Sequence, residues 1–259
     1  MKEMQELLLD LKNNYDVVSL KSEFEAEGAT LAETQKLQEL AQSVGLGLTI
    51  KIGGCEAIKE LKEAKAIGAT SIVAPMVETA YAMQKYVRAI NSVFSPEEKQ
   101  NLNTLINIET ICGFNSLQDI LVSPYFQDVD GIILGRDDMT SSMNLSIKDV
   151  NSNVIFSMAE TMSEFAKKSE KSFIVGGGVC SKSIPFLKKL QNNHLTQFET
   201  RKVVFNASSL VKSNIEEGIL KALKFELLWL KNKRDNNTQD ELRIKTLENR
   251  MQDVARLNF

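Results

Sequence analysis

Histidine is almost missing from this chain: His194, the only one in 259 residues, lies in the polar stretch "QNNHLTQ" and reads as a surface residue. Any mechanism must therefore run largely without imidazole. The three cysteines, Cys55, Cys112 and Cys180, are far apart and form no CxxC pair, which argues against a disulfide framework and a structural zinc site. No apolar run approaches the roughly 18 to 20 residues of a membrane span. The opening "MKEMQELLLDLKNN" mixes acids with its apolar residues and has no small-residue cleavage site. It reads as an amphipathic helix rather than a signal peptide, so a cytoplasmic location is expected. Basic excess is lacking too. With 31 Lys and Arg against 34 Asp and Glu, the net charge is -3, which offers no footprint for nucleic acid.

What is present is an ordinary globular composition, 43% hydrophobic and 25% charged, at a length that one α/β barrel can use alone. Short runs suited to buried parallel strands recur: "DVVSLKSEF", "LGLTIKI", "TSIVAPM", "TLINIE", "VDGIILG", "SFIVGGG" and "RKVVFNA". That is seven, one short of eight. Between them lie segments with apolar residues at three- and four-residue spacing, such as "TLAETQKLQELAQSVG" and "VIFSMAETMSEFAKKSE", the period of amphipathic helices. Strand and helix alternate, which predicts an α/β fold closing as a (β/α)8-type TIM barrel over residues 1–211. A doubly wound open sheet is the alternative, but no GxGxxG turn follows the first strand. Residues 212–259 break the alternation and predict a C-terminal helical hairpin. Its stripe of Ile244, Leu247, Met251 and Val254 is expected to pack on the barrel or on a neighbouring subunit of a homo-oligomer.

Active sites of parallel barrels lie at the carboxyl ends of the strands, where the loops converge. That rule selects Glu23, Glu25 and Glu27 after the first strand, Lys51 with Gly53 and Gly54 after the second, and Glu78 after the third. It then selects Glu109 with Thr110, Arg136 with Asp137 and Asp138, the glycines through Gly177 and Gly178 with Ser181, and Arg201 with Lys202. Two acids ending neighbouring strands repel each other unless a cation lies between them. Carboxylates are hard ligands, so Glu109 and Asp138 are expected to hold Mg2+ or Mn2+. The competing reading is a structural salt bridge to Lys51 or Arg136. "VGGGVCSKS" reads either as an anion-binding turn near Ser181 and Lys182 or as a tight turn with a capping serine. Arg201 and Lys202 alternate in a strand pattern, so at most one is expected to point inward.

The stretch "INIETICGFNSLQDIL" followed by "VDGIILGRDDMTSSM" resembles the HpcH/HpaI aldolase and citrate lyase β-subunit family of the phosphoenolpyruvate/pyruvate barrel superfamily. The shared pattern is an apolar strand ending in Glu-Thr, a helix, then Gly-x-x-Asp. "KIGGCEAIKELKEAKAIGATSIVAPMVET" resembles the same family's basic strand end, helix and "PMV" strand. The likeness covers about residues 16 to 145. It implies a metal-dependent lyase, with Glu109 and Asp138 on the family's two metal-ligand positions. It also implies that Lys51 stands where the family's aldolases usually carry an arginine, and that "KSEFEAEG" lacks the usual histidine base.

These readings together predict a carbon–carbon lyase or aldolase acting on a small 2-oxo or 3-hydroxy acid, free, phosphorylated or CoA-linked, with no membrane or nucleic-acid partner. Lys51 and Arg136 would add positive charge, and Gly53, Gly54, Thr110, Gly177, Gly178 and Ser181 would contact substrate. The base would be Glu23, Glu25 or a water on the metal. One rival is a Schiff-base aldolase using Lys51 or Lys21. The other is a barrel that has drifted from catalysis into ligand binding or scaffolding, which the missing arginine and histidine would suit.

Overall fold

A computed structural model of the chain describes residues 1–24, 26–233 and 238–257, the side chains of Arg250 and of residues 252–257 excepted. Eight strands close into one barrel in sequence order: β1 Val17–Glu23, β2 Gly47–Lys51, β3 Ser71–Ala74, β4 Asn103–Ile108, β5 Gly131–Gly135, β6 Ser172–Gly176, β7 Gln197–Glu199 and β8 Val203–Asn206. The helices are α1 Lys2–Tyr15, α2 Leu31–Val44, α3 Ile58–Ile67, α4 Ala80–Val93, α5 Pro96–Lys99, α6 Ile111–Asn115, α7 Leu117–Val122, α8 Arg136–Ser142, α9 Asn153–Lys168, α10 Ile184–Gln191, α11 Ile215–Lys231 and α12 Thr238–Leu257. Among the described residues no helix is long and apolar enough to cross a membrane.

The helices begin and end where local chemistry dictates. At α2, Thr30 and Glu33 form a reciprocal capping box and Gly45 closes the helix in the left-handed conformation, satisfying terminal groups that the helix leaves unpaired. Buried Leu37, Leu40, Ala41 and Val44 then face the barrel.

The alpha/beta barrel expected from the alternation is present, with one departure. The strands from β1 to β7 pair in parallel, but β8 runs antiparallel to both β7 and β1. No crossover helix separates β7 from β8. The three residues Thr200, Arg201 and Lys202 turn the chain directly, so "RKVVFNA" is not a parallel strand and its first two residues are not in a strand at all. Because β8 descends, α11 rises along the outside of the barrel, antiparallel to α1. The ion pairs Lys212–Asp16, Lys221–Asp10 and Lys224–Glu3 mark that register.

Buried Ile215, Ile219, Ala222 and Phe225 of α11 join the main core, and Leu223, Leu227, Leu230 and Leu247 form a second cluster with Ile244 and Met251. The apolar stripe of the hairpin is thus covered by its own chain at these positions. The Val254 side chain lies outside the described residues. At the top of the barrel the hairpin is fastened by Lys233, which reaches Asp240 at 3.1 Å and Glu33 at 3.4 Å.

Candidate active site

Side chains two apart on a strand share a face, and inside the barrel this rule stacks the site on an apolar floor. Leu105 of β4 meets Val73, Ile133 and Ile174 in a small separate cluster. Continuing along β4 from Leu105 by twos gives Asn107 and then Glu109, which line the cavity above. The same period on β1 sends Ser19, Lys21 and Glu23 inward, and Lys21 and Glu23 line the cavity too. Two glycines make room for the acids. A Cβ on Gly135 would lie 2.7 Å from Glu109 Oε2, and one on Gly176 would lie 2.8 Å from Glu199 Oε1.

Glu109 is held at both oxygens. Met76 N–H donates to Oε1 at 3.0 Å, while Lys51 Nζ at 3.1 Å and Asn107 Nδ2 at 2.5 Å donate to Oε2. Burial pushes the Glu109 carboxyl above its ordinary pKa, Lys51 and the Met76 hydrogen bond oppose the rise, and Asp138 adds to it. Beside this pair, Lys21 Nζ bridges Glu199 at 2.5 Å and Glu23 at 3.3 Å. Burial works against the Lys21 charge, but the Glu199 and Glu23 carboxylates outweigh it and raise the ammonium above its ordinary pKa. For Glu23, burial is again the largest influence and pushes upward. The charges of Lys21, Lys51, Arg201 and Lys202 prevail and hold its carboxyl below the ordinary value.

The cavity, about 290 Å³, is lined by these groups together with Asp137, Asp138, Gly177, Gly178, Arg201 and Arg243. The structure therefore brings Glu23, Lys51, Glu109, Asp138, Gly177 and Gly178 to one place. Gly53 and Gly54 line an adjoining cavity of about 440 Å³, which shares Glu23, Ala26, Lys51 and Asp138 with the first. Other candidates stand apart. Thr110 caps α6, accepting from Gly113 N–H and donating to Glu78, and Ser181 has a buried hydroxyl outside both cavities. Glu25 lies outside the described residues.

Arg136 differs most from expectation. Its fully buried guanidinium does not line the cavity but donates to Gly176 O at 3.1 Å, Gly177 O at 2.6 Å and Asn151 Oδ1 at 2.7 Å, and stacks over Phe186. Burial pulls its pKa down to about 10. It braces the glycine turn, and among the acids lining the cavity the neighbouring Asp137 favours its charge. That turn, with Gly177 and Gly178 at positive φ, abuts an acid: a Cβ on Gly178 would lie 2.9 Å from Asp137 Oδ1. Arg201 and Lys202 also depart from alternation, because in the β7–β8 turn both pair with Glu27.

Sequence reasoning missed Asn107, Glu199 and Arg243 as site residues. Asn107 had a signal, since it sits two residues before Glu109 on the same strand face. Glu199 belongs to a three-residue strand too short to show a period. Arg243 arrives from α12 and pairs through Nε and NH2 with the buried Glu226, at 2.6 and 2.8 Å. Nothing local in the sequence announces that.

The site offers a divalent cation the Glu109 and Asp138 carboxylates and the buried Asn107 Oδ1, which has no hydrogen-bond partner among the described residues. All are hard oxygen donors. Among the described residues no group of three or more His, Cys, Asp or Glu is placed to hold a metal, so substrate and water would complete the shell, a habit of Mg2+. The donor set fits such an ion.

Comparison with known proteins agrees with the sequence resemblance. The profile of the family described as HpcH/HpaI aldolase/citrate lyase matches residues 12–175. No curated protein matches the sequence. Among solved structures, an HpcH/HpaI aldolase from Desulfitobacterium hafniense DCB-2 is 15% identical, with 77% of this chain and 83% of that one covered at a TM-score of 0.60. An HpcH/HpaI aldolase/citrate lyase family protein from Burkholderia cenocepacia J2315 is 14% identical, covering 77% and 84% at 0.61. The citrate synthase SbnG is 15% identical, covering 76% and 81% at 0.59. At such identities these likenesses show the fold.

Proposed function

The chain belongs to the HpcH/HpaI aldolase/citrate lyase family, and from that premise we propose that it cleaves or forms a carbon–carbon bond in a 2-oxo or 3-hydroxy acid through an enolate. The observation that carries this reading is that Glu109, Asp138 and the Lys51 ammonium line one cavity above the apolar floor of the barrel. Glu109 and Asp138 would hold Mg2+ or Mn2+. When bound, such an ion supplies Lewis-acid charge for the carboxylate and keto oxygens of the substrate.

For a 4-hydroxy-2-oxo acid the cleavage balances as follows. The carbinol hydroxyl gives its proton to a base, and the O–H electron pair becomes the C=O of the departing aldehyde. The bond between C3 and the carbinol carbon breaks, and its pair becomes the enolate C=C as the keto oxygen takes up negative charge. A proton then returns to C3. Lys51 contributes fixed positive charge where that oxygen develops, which is stabilising in a site prearranged for it. Glu23 is the base we assign, since it lines both adjoining cavities and its lowered pKa keeps it ionised at neutral pH.

A Schiff base on Lys21 has less support, because its neighbours stabilise the protonated amine and a nucleophile needs the neutral one. The test is pyruvate release from 4-hydroxy-2-oxo acids, with and without EDTA, by the wild type and Asp138→Ala. EDTA-sensitive release that the substitution removes supports the proposal. Release by both proteins in EDTA, together with a stable lysine adduct formed when borohydride reduces the enzyme–substrate imine, refutes the metal route.

A further inference from the structure

The mouth of the barrel has two lobes of unlike chemistry. The first holds Lys21, Asn107, Glu109, Glu199 and Arg201. The second, about 440 Å³, is walled by Ile52, Gly53, Gly54, Cys55, Pro75 and Met76, and its charged residues, Glu23, Lys51 and Asp138, are all shared with the first. Every charge in the second lobe therefore sits at the boundary, and its far wall is apolar. Met76 is 55% exposed there, with its backbone at φ 44. A non-glycine residue in that region is uncommon, and such strain concentrates at functional sites. Here the strained residue aims its N–H at Glu109 Oε1 and leaves its side chain on the rim of the second lobe.

Cleavage of a carbon–carbon bond yields two fragments, and two lobes meeting along Glu23, Lys51 and Asp138 can seat one each. We infer that the second lobe takes the departing carbonyl fragment and that this fragment is an uncharged aliphatic aldehyde. The assignment rests on the lyase reading for its chemistry and on the lobe's walls for its specificity. An anionic tail would meet no cation beyond the boundary, whereas an alkyl tail would bury against Pro75 and Met76.

The experiment uses the full-length protein with Mn2+, pyruvate as the nucleophile, and acetaldehyde, propanal, butanal or succinic semialdehyde as the acceptor. kcat/KM should rise about fourfold per added methylene, the factor given by ~0.8 kcal/mol per buried CH2, and butanal should exceed succinic semialdehyde. Gly54→Leu should flatten the series. A Cβ at Gly54 meets nothing within 4 Å and the backbone there is not left-handed, so the leucine can project into the lobe without straining the turn. Met76→Asn should lower the butanal preference, because asparagine tolerates positive φ. A flat series in the wild type, or a preference for succinic semialdehyde, overturns the assignment.

A second measurement separates the lobe from the lyase reading. Cys55 lies in the lobe and Cys112 is exposed elsewhere, so maleimide labelling can be followed at both by peptide mass. Butyramide, an unreactive analogue of butanal, should slow labelling of Cys55 several-fold and leave Cys112 unchanged. If no aldehyde reacts yet Cys55 is protected, the lyase reading falls and the apolar site stands. Absence of protection at Cys55 overturns the site.

Discussion

Replacing Lys51 by methionine should make the protein less stable in a way that depends on pH. The lysine ammonium is 3.1 Å from Glu109 Oε2, and the two side chains are 13% and 1% exposed. Breaking a buried pair by removing one partner costs about 3–5 kcal/mol. Glu109 would keep its hydrogen bonds from Asn107 and Met76, so the lower end, about 3 kcal/mol, is expected at neutral pH. For a chain of this size that is a fall in Tm of about 6–12 °C. The pH dependence follows from the direction of the Glu109 shift. Burial already raises its folded pKa above the unfolded value, and removing Lys51 raises it further. A carboxyl shifted upward contributes stability fully present below its unfolded pKa and lost as pH rises through its folded one. The deficit of Lys51→Met should therefore be largest near pH 8 and shrink toward pH 5, as protonated Glu109 no longer needs a cation. Differential scanning calorimetry of both proteins across that range measures it. A deficit under about 1 kcal/mol, or one constant with pH, would refute the claim that Lys51 compensates a buried carboxylate. Lys51→Arg should restore most of the stability, since it restores the charge.

Other substitutions probe the remaining groups. Isothermal titration with Mg2+ and Mn2+ should show one site in the wild type, and Asp138→Ala should abolish it; equal binding by the two proteins would remove the metal assignment. Glu23→Gln should lower kcat about 10²–10⁴-fold, the usual contribution of a positioned base, with KM little changed; an unaltered kcat transfers the role elsewhere. Arg243→Met strands the fully buried Glu226 and should cost about 3–5 kcal/mol in urea unfolding, whereas a loss within error would show that α12 does not fasten the mouth. We also propose a homo-oligomer, which light scattering should report as a multiple of 29.0 kDa. Leu242, 59% exposed on α12, is the place to test it, because truncation after residue 211 would remove α11 from the core. Leu242→Glu should lower the mass, and a wild type already monomeric at micromolar concentration rejects the proposal.

The barrel was legible because its signals are local and repeated. Buried parallel strands such as β4 and β5 are continuous apolar runs, and each is followed by a segment of helical period, so the alternation survives without knowledge of any contact. The end of the barrel was not legible for the same reason. β7 has only three residues, and β8 returns through a turn where a helix would be the rule. Period-based reading assigns Arg201 and Lys202 to a strand, although turning the chain there is what lets both reach Glu27. The resemblance, over about residues 16 to 145, reached the acids at the ends of β4 and β5 but not this hairpin, and the family profile likewise stops short of it at residue 175.

The acids at and just past the strand ends are balanced first by the chain's own basic side chains. Glu109 has Lys51 as its neighbour, Glu199 and Glu23 share Lys21, and Glu27 has Arg201 and Lys202. Each of these carboxylates is matched by a basic side chain from another strand, from its own strand two residues away, or from the β7–β8 turn. Buried charge is tolerable when paired and hydrogen-bonded, and costs several kcal/mol when it is not. Sequence can name the acids and the bases but not their partners, because partnership is set by closure: Lys21 and Glu199 are 178 residues apart. Asp138 stands outside this pattern of pairing, as the exposed acid at the junction of both lobes. An added cation would gain most at that position, since Glu109, which lines the same cavity, is buried and has Lys51 as its one ion-pair partner among the described residues. Metal affinity should accordingly rise in Lys51→Met relative to wild type wherever the variant is folded. Titration with Mn2+ at pH 7 decides this: weaker binding in the variant would mean that Lys51 supports the cation site rather than competing for the same carboxylate.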